Sequence, residues 1–344
     1  MLEFDIVIAT RNRPEALKLS VPLLLNQSRS PRRLIIADSS DDHEAVTDVV
    51  RSLINGSNVE LVVLACPPGL TRQRNLGLAE ATAPIVMFPD DDALAYPAAC
   101  DAIMRIWERD VTGNVGGVCA AWADAPPPDV CDKLQAAYKM SRLDRLNLLT
   151  SRLRQGFENN VCPDPFIVHG RSRWSVQLPP GWIKEENAVP VEWMTGLCMS
   201  YRRELIKRLG FDETLERYAV FEDVEASFKI SQTHSILGAN SARLFHYRMP
   251  GRRGRGLEMG ATQILNRAYI TCKHAPEGSC ARRAMRRYAC YKLALYLCGI
   301  HSSYGRKRFA GAWRAMRCMH KLNGSPVKHL PEQYRALLEQ CIAN

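Results

Sequence analysis

The stretch that decides the fold class runs from Ile85 to Asp92 and reads IVMFPDDD. Its four leading apolar residues are typical of a buried strand, and the three carboxyl groups after them would lie at the carboxyl end of that strand. Neighbouring carboxylates repel one another, and a hard divalent cation such as Mg2+ or Mn2+ would offset that repulsion. The alternative for the same residues is an Asp-rich turn that caps the next helix.

Apolar runs and amphipathic helical stretches alternate on both sides of this strand. The apolar runs lie at 4–9, 33–37, 59–64, 85–88 and 115–121, and helices are expected from residues 14, 43, 71 and 96. This alternation predicts a mixed, mostly parallel α/β sheet flanked by helices, in which ligands bind beyond the carboxyl ends of the strands. The residues that follow the runs therefore form the candidate site, and they are 10–13, 38–40, 67–69 and 90–92.

The alternation fails between residues 126 and 190, and we interpret that part as an insertion that shapes the site. It resumes with a strand at 197–201, helices from residues 203 and 222, and a strand that ends at His246. Beyond residue 257 the pattern is helical. We therefore expect an α/β domain at 1–250 and a helical C-terminal region at 251–344.

The composition is that of a globular protein, with 46% hydrophobic and 24% charged residues in a chain of 344. The 12 cysteines are scattered and form no CxxC pair, so reduced thiols are expected rather than disulfides or a zinc site. Residues 1–5 lack the basic region of a signal peptide, and the longest apolar stretch, 288–300, is interrupted by Lys292. These features predict a cytoplasmic protein without a membrane-spanning helix.

The net charge of +10 is concentrated near the C-terminus, where residues 248–331 contain 18 Lys and Arg but only two acidic residues. Tyrosines, leucines and a tryptophan are interleaved with these cations, as in helices that lie on an anionic membrane surface. We therefore expect a peripheral contact with the membrane. The same charge also fits a nucleic-acid-binding protein, but no RNA- or DNA-binding motif accompanies it, and nucleic acid is not the expected partner.

Two further positions could carry chemistry. Glu222 and Asp223 stand where an apolar run meets the start of a helix, so that either carboxylate could act as a general base. Acidic residues are also favoured there by the helix dipole alone. His246 ends a strand and could be a metal ligand, although a single histidine is more often a packed or solvent-facing residue.

Taken in order, five segments resemble glycosyltransferase family 2 on a GT-A (Rossmann-like) fold. They are residues 7–14, 35–40, 69–77, 88–92 and 221–223. The resemblance implies an inverting transfer of one sugar from a nucleotide-diphosphate sugar, with UDP favoured, to a hydroxyl group of a glycan or lipid-linked acceptor. It also implies Mn2+ or Mg2+ as cofactor and a role in glycan or cell-surface polysaccharide biosynthesis.

The resemblance also assigns roles to residues of the candidate site. The nucleotide-binding residues would be Thr10, Arg11, Asn12, Asp38, Arg74, Asp90 and Asp91. The metal ligands would be Asp90, Asp92 and His246. On this basis residues 1–122 form the half that binds the nucleotide-sugar and residues 191–250 the half that binds the acceptor.

The general base implied by the resemblance is Asp223, with Glu222 as the second candidate. The acceptor would meet Trp193, Thr195 and Gly196. The Q/RxxRW motif of processive synthases is missing after Asp223, which favours transfer of a single sugar.

Two other enzyme classes fit less well. A phosphatase with Asp90 as nucleophile needs a DxDxT/V pattern, but Ala93 and Leu94 follow Asp92. A GT-A-like nucleotidylyltransferase would have a glycine-rich loop after the first strand, whereas residues 10–14 contain no glycine.

Overall fold

The computed structural model describes residues 1–130, 181–248, 255–275 and 280–343. These residues form two compact units. The first comprises 1–130, 181–217 and 222–248, and the second comprises 218–221, 255–275 and 280–343. Most of the expected insertion at 126–190 lies outside the described residues, as do the residues around position 250. The domain boundaries expected from the sequence therefore stay predictions.

The first unit begins with the alternation that the sequence predicts. Its first four strands are β1 (Phe4–Thr10), β2 (Arg33–Asp38), β3 (Glu60–Ala65) and β4 (Ile85–Pro89). The helices between them are α1 (Pro14–Leu25), α2 (His43–Ile54) and α3 (Leu70–Glu80). These four strands pair in parallel in the order β3-β2-β1-β4.

The rest of the first unit completes the sheet. It contains β5 (Ala93–Ala95), α4 (Ala99–Arg109), β6 (Val115–Trp122), β7 (Ala188–Pro190), β8 (Cys198–Arg202), α5 (Arg203–Leu209), α6 (Glu222–Ser231) and β9 (Ser235–His246). Within the described residues the sheet has nine strands, in the order β3-β2-β1-β4-β8-β6-β9-β5, with β7 paired to β9. Six strands run in one direction, and β5, β7 and β8 oppose them. The predicted fold class is confirmed, but β5 is an additional strand that the sequence pattern did not indicate.

Both faces of the central strands are buried, which explains why they read as continuous apolar runs. On β1, Ile6 and Ile8 pack with Leu17 of α1 in one hydrophobic cluster, whereas Val7 packs with Leu78 of α3 in another. Because successive side chains of a strand point to opposite faces, this one strand joins both layers of helices to the sheet.

The second unit is helical. It contains α7 (Gly256–His274), α8 (Cys280–Leu297), α9 (Ser303–Cys318) and α10 (Leu330–Ile342), with short 3-10 turns at Met319–Gly324 and Val327–His329. The segment 218–221 belongs to this unit, because the Asn266 amide donates to the Val220 carbonyl over 2.9 Å and the Arg267 guanidinium lies over the Phe221 ring. None of the described helices is both long and apolar enough to cross a lipid bilayer.

Helices α7 and α9 cross at two glycines. A Cβ atom on Gly311 would lie 1.9 Å from the Leu257 carbonyl oxygen, and one on Gly260 would lie 1.9 Å from the Arg308 carbonyl oxygen. These are backbone atoms, so a side chain at either position forces the two helices apart.

Gly311→Ala is therefore expected to lower the free energy of unfolding by about 3 kcal/mol, the upper part of the usual range for overpacking. At an uncrowded helix position the same change would instead stabilise the protein by about 1 kcal/mol. The sign of the change in the free energy of unfolding therefore distinguishes the two cases. Denaturant unfolding measures it. Gly324→Ala, where a Cβ meets nothing within 4 Å, is the control, and equal stabilities of the two variants would contradict the crossing.

Candidate active site

The carboxylate cluster lies where β4 ends, near the middle of the sheet. The Asp90 backbone N–H donates to the Leu197 carbonyl over 3.0 Å, and the Ala93 N–H donates to the Asp90 carbonyl over 3.1 Å. The chain thereby turns tightly from β4 into β5. Since Ala93 of β5 is paired with His246 of β9, this turn brings the end of β9 beside the carboxylates.

Asp90, Asp92 and His246 form a group that could hold a cation. One ligand atom from each lies within 4.8 Å of the other two, and His246 Nε2 is 3.3 Å from Asp92 Oδ1. Two carboxylates and an imidazole are ligands that suit Mn2+ and related divalent ions. The structure thus brings together all three residues that the sequence singled out for a metal.

The two carboxyl groups of this group differ in acidity. Burial raises the pKa of Asp90 to about 6, and the neighbouring Asp92 charge adds to that rise, against the pull of Arg74. Burial also acts on Asp92, but the hydrogen bond from His246 and the charge of Arg13 outweigh it and lower the Asp92 pKa to about 2. Asp92 therefore carries a full negative charge at neutral pH.

Asp91 has a different environment from its neighbours. Its carboxylate accepts hydrogen bonds from Thr10 Oγ1 over 2.9 Å and from Arg13 Nη1 over 2.6 Å, and its carbonyl accepts one from Ser20 Oγ over 2.7 Å. Burial raises the pKa of Asp91 to about 7, against the charge of Arg13. Asp91 therefore joins the loop after β1 to the carboxylate cluster.

Arg13 lies in the candidate segment 10–13, but the sequence assigned it no role. Its guanidinium pairs with Asp91 through one nitrogen and with Asp92 through the other. Three consecutive carboxylates need a compensating cation. Arg13 follows β1, which ends at the same edge of the sheet as β4, and this position was the signal for its role.

The loops after β1 and β2 hold the other residues predicted for the nucleotide. The buried Asp38 carboxylate accepts a hydrogen bond from the Ser40 N–H over 3.0 Å and lies 2.8 Å from His43 Nδ1. Asn12 adopts a left-handed conformation with φ of 54° and exchanges two hydrogen bonds with Asp41. Arg11 is exposed beside the same Asp41. The two loops therefore form one connected rim beside the cluster.

Gln73 connects the ends of the two strands below this rim, and it too was missed. Its side-chain amide is buried and donates to the carbonyls of Thr10, over 2.8 Å, and Ala37, over 2.6 Å. It thereby pairs backbone groups at the point where β1 and β2 diverge. A polar residue on the buried side of α3 was the signal for it.

Arg74 is buried and links the cluster to the start of α6. Its guanidinium pairs with Glu222 and lies 3.2 Å from Asp90 Oδ1. Burial lowers the pKa of a guanidinium, but the two carboxylates outweigh that effect and raise the Arg74 pKa. Burial raises the pKa of Glu222 to about 8, and the Asp223 charge adds to that rise. The Glu222 carboxyl group is thus engaged by Arg74.

Asp223 is held by backbone N–H groups. Its Oδ2 accepts from Gly196 over 3.0 Å, and its Oδ1 accepts from Val224 over 2.8 Å. Burial still raises its pKa above the usual range of an aspartate. A Cβ on Gly196 would lie 3.4 Å from both Asp223 Oδ2 and Glu222 Oε1, so the loop predicted to meet the acceptor packs closely against these carboxylates.

Trp122, at the end of β6, was also missed. Its indole N–H donates to Thr195 Oγ1 over 3.1 Å, its ring meets the His246 ring edge to face at 5.4 Å, and it is 50% exposed. Trp193 is 40% exposed. A large exposed aromatic ring thus lies beside the His246 side chain, and its place directly after the apolar run 115–121 was the available signal.

Residues 5–156 match the family model of glycosyl transferase family 2. No curated protein sequence matches the chain. Among solved structures, the mannosyltransferase PcManGT from Pyrobaculum calidifontis, in complex with GDP-Man and Mn2+, is 16% identical; the likeness covers 98% of this chain and 80% of that one, with a TM-score of 0.50.

Two further structures share the fold. TarS 1–349 from S. aureus is 13% identical, with 99% of this chain and 89% of that one covered and a TM-score of 0.50. GalNAc-T7 with UDP, GalNAc and Mn2+ is 14% identical, with 99% of this chain and 58% of that one covered and a TM-score of 0.55. This shared architecture shows that the chain has a GT-A fold, and over residues 5–156 it is similar to glycosyl transferase family 2.

Proposed function

We propose that this protein is a glycosyltransferase of family 2. It would move one sugar from a nucleotide-diphosphate sugar to a hydroxyl acceptor, with a divalent cation and with inversion at the anomeric carbon. The observation that carries the proposal is the convergence of Asp90, Asp92 and His246 at one end of the sheet, where Arg74 connects them to the pair Glu222 and Asp223. In support, PcManGT, which shares the fold, was solved with GDP-Man and Mn2+, and TarS with UDP-GlcNAc.

Asp90, Asp92 and His246 would hold the cation, either Mn2+ or Mg2+. The donor set fits, because it combines two carboxylates with an imidazole whose Nδ1 is buried and has no hydrogen-bond partner among the described residues. When bound there, a divalent ion offsets the negative charge that grows on the departing diphosphate. Arg13 neutralises part of the charge of Asp91 and Asp92 without the ion.

The rim formed by the loops after β1 and β2 would receive the nucleotide. In this proposal Asp38 accepts a hydrogen bond from the base, and Thr10, Arg11 and Asn12 line the base and ribose. UDP is the proposed nucleotide. Arg74 would act on the diphosphate side through Asp90, since its guanidinium is already paired with carboxylates.

Asp223 would be the general base. Its two oxygens accept backbone hydrogen bonds and keep further lone pairs, whereas the Glu222 carboxyl group is paired with Arg74. In an inverting step the acceptor oxygen forms a bond to the anomeric carbon as the bond to the diphosphate oxygen breaks, and the acceptor proton passes to Asp223. Asp223 would be fixed for this task by the Gly196 N–H, beside Thr195, Trp193 and the Trp122 ring, where a glycan or lipid-linked acceptor would lie.

A donor screen tests the proposal without an acceptor. Slow hydrolysis is expected for one class of nucleotide sugar, UDP-sugars first and GDP- or dTDP-sugars otherwise, and EDTA should abolish it. The released nucleoside diphosphate is the readout. Hydrolysis of none of these donors, together with salt-sensitive RNA binding, would favour the nucleic-acid-binding alternative.

A further inference from the structure

The helices α8 and α9 form a hairpin within the second unit. The Arg308 guanidinium lies 4.1 Å from the centre of the Tyr296 ring, and the thiol of Cys290 lies 3.9 Å from the Met316 sulfur. These contacts align the two helices antiparallel along their length. No acidic residue occurs between positions 278 and 331, so the whole hairpin is positively charged.

One face of α9 is exposed and cationic. Residues three or four positions apart share a helix face. By this spacing the exposed side chains Arg306, Lys307, Trp313, Arg314 and Arg317 lie on one side of α9, and the buried Gly305, Ala312 and Ala315 lie on the other. Trp313 is 46% exposed in the middle of these cations.

The turn of the hairpin adds exposed apolar side chains. Leu297, Ile300 and Tyr304 are 50%, 43% and 42% exposed. Arg306 donates to the carbonyls of Ile300 and His301 over 3.3 Å, which ties the turn to the cationic face. Single exposed apolar residues are common on protein surfaces, but three within eight residues beside a cationic face form a patch.

Other residues in this region have structural roles. Arg282 is buried and donates to the carbonyls of Cys272, Ala275 and Asn323. Tyr288, Leu293 and Tyr296 are also buried. The sequence pattern alone placed all of these on the membrane-facing surface, and the structure removes them from it.

We propose that the turn and the exposed face of α9 dock on the surface of an anionic phospholipid bilayer. Arg306, Lys307 and Arg317 contact lipid phosphates, while Leu297, Ile300, Tyr304 and Trp313 enter the headgroup region. Arg314 instead donates to the carbonyls of Cys341 and Ala343 at the end of α10. Charge complementarity selects an anionic partner. The aliphatic side chains select lipid over nucleic acid, because they gain nothing from a sugar-phosphate backbone but are removed from water at the boundary with the acyl chains.

Vesicle co-sedimentation of the full chain tests this docking without donor or acceptor. The protein should pellet with phosphatidylglycerol-containing vesicles but not with pure phosphatidylcholine, and high salt should release it. The double variant Arg306→Glu and Lys307→Glu should lower partition by at least about tenfold. The matched control, Lys207→Glu and Arg208→Glu on exposed positions of α5, changes the net charge equally and should retain binding.

Two further variants test the apolar part. Leu297→Ser with Ile300→Ser should weaken partition about fivefold. Vesicles should shift the tryptophan emission to shorter wavelength in the wild type, and Trp313→Phe should remove most of that shift. Equal recovery in the supernatant with both vesicle types, an equal loss in the α5 control, or binding to RNA but not to vesicles would overturn the proposal. Donor hydrolysis in vesicle-free solution is measured separately, so failure of docking is distinct from failure of the proposed activity.

Discussion

Asp223→Asn should lower turnover by about 100-fold or more while leaving donor binding unchanged. The change keeps the shape of the side chain and an oxygen for the Gly196 N–H, but it removes the group that would take the acceptor proton. General bases typically contribute a factor of this size. Calorimetry measures donor binding, and donor hydrolysis or transfer measures turnover.

The pH profile gives a second readout for Asp223. Burial raises the pKa of Asp223, and a base must be ionised to act. Turnover should therefore fall as the pH is lowered through this raised pKa, at a higher pH than an exposed aspartate near 4 would give. In Asp223→Asn this fall of turnover at acidic pH should be absent.

Glu222→Gln is the matched comparison, because it removes the neighbouring charge and the ion pair with Arg74. We expect Glu222→Gln to retain most of the turnover and the same fall of turnover at acidic pH. Near-wild-type turnover in Asp223→Asn, with a large loss in Glu222→Gln, would move the role of base to Glu222.

Removal of the divalent cation should abolish tight donor binding, and this is the second large effect. EDTA should sharply weaken the binding of UDP, and Asp92→Ala should eliminate the dependence on metal, because Asp92 is the fully ionised member of the group. In the absence of nucleotide, Mn2+ at about 100 times its dissociation constant should stabilise the wild type by about 2.7 kcal/mol.

Asp101→Asn is the control for this effect. Asp101 forms an exposed ion pair with Arg105 on α4, so its replacement should leave both the metal response and the stability nearly unchanged. Metal-independent binding of UDP, GDP and dTDP by the wild type would contradict the assignment of Asp90, Asp92 and His246 as a cation site.

The site could be predicted from the sequence only where a local pattern reveals it. The carboxylates after β4 and the polar residues after β1 and β2 follow apolar runs, and parallel strands bring such ends to one edge. The roles of Arg13, Gln73 and Trp122 were not predicted, because their partners lie at Asp91, Ala37 and Thr195, 36 to 78 positions away in the chain. Such contacts depend on strand order.

By itself the sequence determined the alternating strands and helices, the edge of the sheet that carries the site, and the cationic C-terminal quarter. Each of these follows from the period of the hydrophobic residues or from local charge. Both are properties of neighbouring residues and do not depend on the rest of the fold. Only the tertiary structure decided that His246 faces Asp92, because that depends on the register between β9 and the three-residue β5. It also decided that Arg282 is buried and Arg306 exposed, since burial depends on which helices pack together.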